Sequence, residues 1–332
     1  MKAKAIVFPE PNEVTFGEVD VPQPGPGQLL TRTLLTGVST GTELRVLRGM
    51  LDSTFPLIPG YENVGEVIAV GEGVDLSEGS RVFVGGGDAT GPYARQWGAQ
   101  MEYVVTGRTE ATPVPERVDP FVALHTRVLS VAVHGINRAQ VKAGETVAIV
   151  GQGLIGNLAL QIARARGAVV IAVDRLEDRL KVAEEVGADH TVNAAEEDVQ
   201  EAVMELSEGG ADVAVEATGV AELTDSVARL VRPMPWDPPY PPRSRVLLLA
   251  SYSDTITFSY KPTLFTNEPD IIPSRCWTPE ETAAAMRLLA SGVVRPDVLD
   301  YRIVDVDEAP QAYADLKDRK VTRVVFRWRD GQ

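Results

Sequence analysis

The sequence predicts an α/β protein of two domains, one rich in β-strands and one a doubly wound parallel sheet clad in helices. Three observations carry that prediction. The first 120 residues or so are dense in β-forming and turn residues, the next stretch alternates strand-like and helix-like runs, and the last segment, one helix followed by strand-like runs, looks like a return to the first domain. A chain of 332 residues suits two domains, since domains commonly run to roughly 100–200 residues.

Taken in order, KAIVF, EVTFGEV, QLLTRTLLTGV, ENVGEVIAVG, SRVFVG and AQMEYVV are short strand candidates separated by Pro and Gly punctuation such as PQPGPGQ. They suggest a barrel-like β domain. From Pro120 the spacing turns helical over VDPFVALHTRVLSVAVHGINRA. ETVAIVG then reads as a buried parallel strand, LIGNLALQIARARG as a helix, VVIAVD as a strand and RLEDRLKVAEEVG as a helix. DHTVNA, DVQEAVMELSEGG, DVAVEATG, AELTDSVARLV and SRVLLLAS continue the alternation, which ends near Ile271. A helix over TPEETAAAMRLLASG and strands over YRIVDV and TRVVFRW close the chain. The segment from Pro233 to Arg245 holds six prolines with Trp236 and Tyr240, a composition that forces an extended loop.

Composition narrows the function. With 44% hydrophobic and 24% charged residues the chain has the mix of a soluble globular protein, and a net charge of −15 argues against nucleic acid. No run of about 18 apolar residues exists to span a membrane, and MKAKAIVFPEP is not a secretory signal, so the expected location is the cytoplasm. The single cysteine, Cys276, leaves no internal disulfide and no multi-cysteine zinc site.

The strongest chemical signal is Gly151-Gln152-Gly153-Leu154-Ile155-Gly156, which joins the strand ETVAIV to the helix that follows, with Asp174 closing the next strand 18 residues after Gly156. Gly151 permits a sharp turn, Gly153 lets backbone N–H groups approach a pyrophosphate, and Gly156 lets helix and strand pack closely. The helix dipole then faces the diphosphate. Asp174 would accept hydrogen bonds from ribose hydroxyls and repel a 2′-phosphate, so NAD is favoured over NADP, although Arg175 beside it could receive a phosphate. Thr218 and Gly219 end a parallel strand of the same sheet, where a cofactor's nicotinamide half would lie.

With this order of segments, the chain resembles the medium-chain dehydrogenase/reductase superfamily over nearly its whole length. The carriers are GVSTGTELRVLRG (37–49), IPGYENVGEV (58–67), GAQMEYVV (98–105), LSVAVHGI (129–136), VGQGLIG (150–156) and VEATG (215–219). The resemblance implies a GroES-like β-barrel catalytic domain over 1–122, a Rossmann NAD-binding domain over 123–273, and a return segment over 274–332 that completes the first. It also implies an active site in the cleft between them, and Rossmann-to-Rossmann homodimers, some forming homotetramers. The GVSTGTE segment and the stretch from SRCWTPEE to VVFRW look most like the zinc-lacking bacteriochlorophyllide hydroxyethyl dehydrogenase branch, a match too patchy to imply a pigment substrate.

The departures from the superfamily's zinc enzymes are informative. Where those enzymes carry a cysteine, a histidine, and a cysteine or glutamate, this chain has Ser39 or Thr40, then Tyr61, then a place near Arg127. Of the usual set only the neighbouring Glu62 survives, and no four-cysteine structural lobe is present. Zinc needs three ligands drawn from Cys, His and carboxylate, so the chain is read as zinc-free, with no metal site. Tyr61, Glu62, Ser39, Thr40, Arg127 and His125 become the catalytic candidates. Arg127 either supplies the positive charge a metal would have given, polarising a substrate oxygen or clamping an anionic group, or pairs with Glu62 to fill the hole. Tyr61 is either an acid/base or an aromatic plug, and His125 either a relay or a structural histidine. Glu43 matches the family's acidic residue that orients neighbouring groups, and His134 is read as structural. Tyr93, Arg95 and Trp97 are either substrate-pocket walls or surface-loop residues.

The function expected is a zinc-independent, NAD-dependent oxidoreductase moving a hydride between NAD and a secondary alcohol: a polyol, sugar, cyclitol or similarly polar or anionic small molecule. An NAD(P)H-dependent quinone or enone reductase is the second reading, against which Asp174 speaks. A catalytically inactive NAD-binding sensor or structural protein is the third.

Overall fold

The computed structural model describes residues 1–88, 91–252, 254–318 and 320–328. Contacts divide the chain into two compact units, Met1–Arg127 with Asp300–Gln332, and Val128–Leu299. Among the described residues no helix is long and apolar enough to cross a membrane.

The first unit is built on a seven-stranded sheet in the order Arg302–Asp305, Val324–Arg327, Gln28–Gly37, Asn63–Val70, Arg81–Val84 and Ala111–Pro113, with Tyr103–Gly107 also paired to Gln28–Gly37. The ten-residue strand Gln28–Gly37 organises it. Residues 28–32 pair with Tyr103–Gly107, and residues 35–37 pair with Val324–Arg327. Two register shifts against Asn63–Val70, at Leu30/Thr31 and Thr33/Leu35, bend and twist the strand as bulges do. The antiparallel pair Lys2–Val7 and Thr15–Asp20 forms a separate ribbon.

Two apolar clusters hold this unit. One gathers Phe8, Leu47, Leu57, Tyr313, Phe326 and Trp328, and the other Leu29, Val67, Val82, Met101 and Val104. Each fully buried side chain of this size contributes about 1.5–3 kcal/mol. Between YRIVDV and TRVVFRW the chain forms the helix Ala309–Lys317, which buries Tyr313. In AQMEYVV only Tyr103 onward is a strand.

The second unit is a six-stranded, all-parallel sheet in the order His190–Asn193, Val169–Asp174, Thr146–Val150, Val213–Glu216, Arg245–Leu248 and Asp270–Pro273. Its central strands are near-continuous aliphatic runs buried throughout, such as Val147, Ala148 and Ile149, as expected when both faces are covered. The intervening helices begin where their caps dictate. The Asp198 side chain accepts from the Glu201 N–H, and Thr278 and Glu281 form a capping box before Pro279–Ala290.

That last helix falls within the return segment expected from residue 274, and its contacts group it with the second unit, the first resuming at Asp300. The reason is local bonding: Glu281 takes hydrogen bonds from Asn137 (2.9 Å) and His134 (2.8 Å) of the helix Thr126–Arg138, and the Arg295 N–H donates to Gln161 (2.7 Å). His134 thereby has the Glu281 carboxylate as its partner. The helical run from Pro120 is also broken, into Pro120–Ala123 and Thr126–Arg138. The Pro-rich segment forms neither helix nor strand, bends over residues 236–239 rather than running extended, and carries Trp236 and Tyr240 on the surface.

Candidate active site

In the second unit the strand Thr146–Val150 runs into Gly151, whose φ of +95° lies in the left-handed region open to glycine. A Cβ there would stand 2.8 Å from the Thr218 methyl, and one at Gly156 would collide with the Gly151 carbonyl oxygen. Gly153 differs: a Cβ would meet nothing within 4 Å. The glycines at the ends are needed for packing, and the middle one leaves open space in front of the helix Leu154–Ala165. That helix begins at Gly153 with no side-chain cap, so its first N–H groups have no side-chain partner there. Uncapped donors, an open approach and the helix dipole together make an anion site suited to a diphosphate.

Asp174 closes the strand Val169–Asp174 and is 7% exposed. Its carboxylate accepts from the Gln152 N–H at 2.7 Å and the Leu176 N–H at 3.0 Å, and meets Arg179 at 3.4 Å. Gln152 is buried and donates through its side chain to the Ile149 carbonyl at 2.8 Å, while Leu154 and Ile155 are half-buried. Arg175 is exposed. Thr218 lies beside the Gly151 turn, and the buried Glu216 accepts the Thr218 and Gly219 N–H groups. The residues present therefore fit a bound nicotinamide dinucleotide: of the sequence-predicted members, Gln152 bonds Asp174 and Thr218 packs against the Gly151 turn. Glu216 lies inside the VEATG segment, which does not single it out, and Arg179 and Tyr252 emerge only from the structure.

In the first unit the cis Phe55–Pro56 bond precedes the short strand Leu57–Ile58, which leads to Tyr61 and Glu62. The Tyr61 hydroxyl donates to Ser39 Oγ and its ring meets the Trp97 ring edge-on at 5.0 Å. Thr42 also hydrogen-bonds this hydroxyl. Burial, together with the charge of Glu62, pushes the Tyr61 phenol up to about 12. Thr40 is half-buried next to Ser39.

Glu62 is fully buried and ion-paired with Arg323. This corrects the pairing of Glu62 with Arg127 that the sequence allows. Gly37 makes the pair possible, since a Cβ there would collide with Glu62 Oε2. Burial raises the Glu62 carboxyl and Arg323 opposes that rise. Arg127 occupies a second seat: its guanidinium lies 5.7 Å from the Phe83 ring centre and over Gly85, where a Cβ would collide with it. Burial lowers the Arg127 pKa, against the charges of Glu110, Tyr61 and Glu62, which act on it from nearby.

A second buried carboxylate, Glu43, receives the Tyr313 hydroxyl and the Gln100 amide (3.4 Å). Burial pushes it up to about 8, with Tyr313 opposing and the charge of Glu62 adding to the rise. His125 sits at zero exposure with Nδ1 2.9 Å from the Phe121 carbonyl, an acceptor, so Nδ1 carries the proton. Burial and the Arg323 charge depress its pKa to about 3. An imidazole so hard to protonate is poorly suited to relaying protons at neutral pH. Tyr93 packs over Gly17 in the apolar core, and Arg95 pairs with Asp88 on the surface. The structure thus brings Ser39, Tyr61 and Trp97 into contact, and turns Tyr93 and Arg95 to other partners.

A tetrahedral zinc does not fit this donor set. The hydroxyls of Ser39 and Tyr61 bond each other, Arg127 is a cation, and one Glu62 oxygen is taken by Arg323. Among the described residues no group of three or more His, Cys, Asp or Glu side chains could hold a metal ion.

A β-sheet unit carrying a hydroxyl-and-arginine cluster, joined in one chain to a parallel-sheet unit with a dinucleotide loop, defines the class: a dinucleotide-dependent oxidoreductase. The alcohol dehydrogenase GroES-like domain matches residues 25–116, and the zinc-binding dehydrogenase family matches residues 155–291. A sorbitol dehydrogenase from Halalkalibacterium halodurans is 28% identical over 97% of this chain and 98% of its own. An alcohol dehydrogenase from Cupriavidus necator is 30% identical over 69% of this chain and 74% of its own. Among solved structures, one named as a zinc-binding dehydrogenase from Sinorhizobium meliloti 1021, bound to NADP, is 29% identical with a TM-score of 0.85, covering 98% of this chain and 99% of that one. The chain belongs to the medium-chain zinc-type dehydrogenase superfamily.

Proposed function

We propose that this chain is an NAD(P)-dependent dehydrogenase that moves a hydride between the nicotinamide and a secondary alcohol of polar character, a polyol, sugar or cyclitol, without zinc. The observation that carries the reading is the set Ser39, Tyr61 and Arg127 at the places where the superfamily's zinc enzymes keep ligands, with Glu62 committed to Arg323. The sorbitol dehydrogenase likeness supports the polyol class.

The bound cofactor supplies the hydride acceptor. The chain's own residues do the rest. The uncapped N-terminus of Leu154–Ala165 binds the diphosphate, and Asp174 receives ribose hydroxyls. Arg127 stabilises negative charge growing on the substrate oxygen as its proton leaves. A Tyr61 phenol pushed up to about 12 is protonated at neutral pH. In alcohol oxidation it therefore takes the substrate's hydroxyl proton only as it hands its own along the hydrogen bond to Ser39, whose proton passes on to solvent. In carbonyl reduction the same chain runs in reverse.

Asp174 favours NAD, while Arg175, Arg179 and the NADP-bound relative make NADP the competitor. Assembly as a homodimer or homotetramer belongs to the same reading. The test is turnover of polyols and cyclitols with NAD⁺ after exhaustive chelation, alongside metal analysis. Activity should persist with zinc well below stoichiometric; turnover lost to chelator and restored by zinc would sink the proposal.

A further inference from the structure

Glu216 ends the strand Val213–Glu216 at zero exposure, and among the described residues no ion pair reaches it. A buried carboxylate without a counter-ion is costly unless hydrogen-bond donors surround it. Here four do. Oε1 takes the Thr218 N–H at 2.7 Å and the Thr218 hydroxyl, while Oε2 takes the Gly219 N–H at 3.2 Å and the Tyr252 hydroxyl. Thr218 Oγ1 in turn accepts the Val220 N–H at 3.0 Å. One side chain thus fixes the backbone from 218 to 219 and, through Thr218, to 220.

That backbone is the wall of the glycine turn. A Cβ on Gly151 would lie 2.8 Å from Thr218 Cγ2 and 3.1 Å from the Thr218 nitrogen, and one on Gly156 would lie 3.2 Å from Ala217 Cβ. The Ala217 N–H also donates to the Val150 carbonyl at 2.9 Å, next to the turn. Tyr252 reaches in from the segment after another strand, Arg245–Leu248. The residue is half-buried, and burial against Glu216 raises its pKa far beyond the usual tyrosine range, so its hydroxyl remains a donor.

We infer that Glu216 and Tyr252 are positioning residues of the dinucleotide site, clamping the 217–219 segment against the Gly151 turn and so setting cofactor affinity without touching the cofactor. This rests on the reading of 151–156 as the NAD(P) loop. The mutations suggested by the geometry are Tyr252→Phe, which removes one donor and keeps the ring, and Glu216→Gln, whose amide cannot accept from all four.

NADH and NADPH binding to the full chain is measured by fluorescence titration, with melting temperature recorded without cofactor. Losing a hydrogen bond to a charged acceptor should weaken binding of the preferred cofactor roughly tenfold in Tyr252→Phe, and more in Glu216→Gln. The cofactor KM should rise while kcat and the alcohol KM stay within about twofold. If both variants, held well below their melting temperatures, bind the cofactor as wild type does, the residues serve only stability and the inference is overturned. If wild type itself binds neither nucleotide, the cofactor reading falls first and takes this inference with it.

Discussion

The carboxylate of Glu62 is ion-paired with the guanidinium of Arg323, a residue 261 positions further along the chain, and both side chains are almost fully buried. This pair ties the turn after Leu57–Ile58 to the strand Val324–Arg327 of the same unit. Removing one member of a buried pair strands the other's charge and typically destabilises by about 3–5 kcal/mol, whereas replacing both with apolar groups is often neutral. Arg323→Met is therefore expected to lower the denaturation midpoint sharply, and the double variant Arg323→Met/Glu62→Leu to recover most of it. Urea unfolding followed by tryptophan fluorescence checks this; equal losses in single and double variants would show that the pair is not the source.

Glu43 and Glu62 share one neighbourhood with a single arginine committed to Glu62, so Glu43 is left with neutral donors, Tyr313 and Gln100. Burial raises its pKa to about 8, well above the usual carboxylate range. The sign follows from that direction. A group whose folded pKa is raised stabilises fully below its unfolded pKa, and the contribution fades as pH rises toward the folded value. Between about pH 5 and 8 wild type should lose stability relative to Glu43→Gln by on the order of 1 kcal/mol per pH unit. Of the other groups acting on this carboxyl, Tyr61 and Tyr313 have raised pKa and stay protonated throughout the window. Glu62, raised by burial against the opposing Arg323, is present in both proteins, so its titration is common to the two curves. Melting curves for both proteins across the window decide it, and parallel pH profiles would refute the assignment.

How far the sequence reaches is visible in these two carboxylates. The second unit is readable almost strand by strand, because buried parallel strands are continuous apolar runs such as VAIV and VVIAV, and because glycine spacing encodes a turn locally. The strand Asp270–Pro273 escapes since it is short, half-exposed and ends in proline. The hydroxyl pair is half legible: Ser39 and Tyr61 both stand out by their places in the chain, but their contact does not. The partner of Glu62 cannot be read at all. A buried carboxylate demands a cation, but nothing in local spacing selects Arg323 over Arg127, as register in the sheet decides which arrives. The break at Leu124 and His125 is likewise hidden, since neither residue is a Gly or Pro that would mark a helix end in the sequence.

Asp174 makes a separable prediction about cofactor choice. Its carboxylate already takes the Gln152 and Leu176 N–H groups, so the charge is placed at the end of its strand whether or not a ribose is present. Asp174→Asn keeps the size and removes the charge. NADH affinity should fall several-fold, and discrimination against NADPH should shrink by about tenfold or more, as a close charge repulsion of some 1–2 kcal/mol is lifted. Thermal-shift titrations with both nucleotides measure the ratio directly. An unchanged NADH-to-NADPH ratio would assign the choice elsewhere, with Arg175 and Arg179 as the next residues to change.

Arg127 carries the sharpest chemical prediction. Gly85 leaves the space its guanidinium fills, and its charge acts on Tyr61 and Glu62. If it stabilises the developing alkoxide, Arg127→Met should lower kcat by about 10²-fold or more, the effect typical of removing one oxyanion donor. The expected signature is a loss in kcat with little change in cofactor affinity, because the charge acts on the reacting oxygen rather than on the nucleotide. Arg127→Lys keeps the charge without the planar fork and should fall between the two. Gly85→Ala is an independent probe: its added methyl displaces the guanidinium without altering any charge, so it should reproduce part of the loss in kcat. If instead Arg127→Met turns over within a few-fold of wild type, the arginine only fills space, and Tyr61 with Ser39 must carry the proton transfer without it.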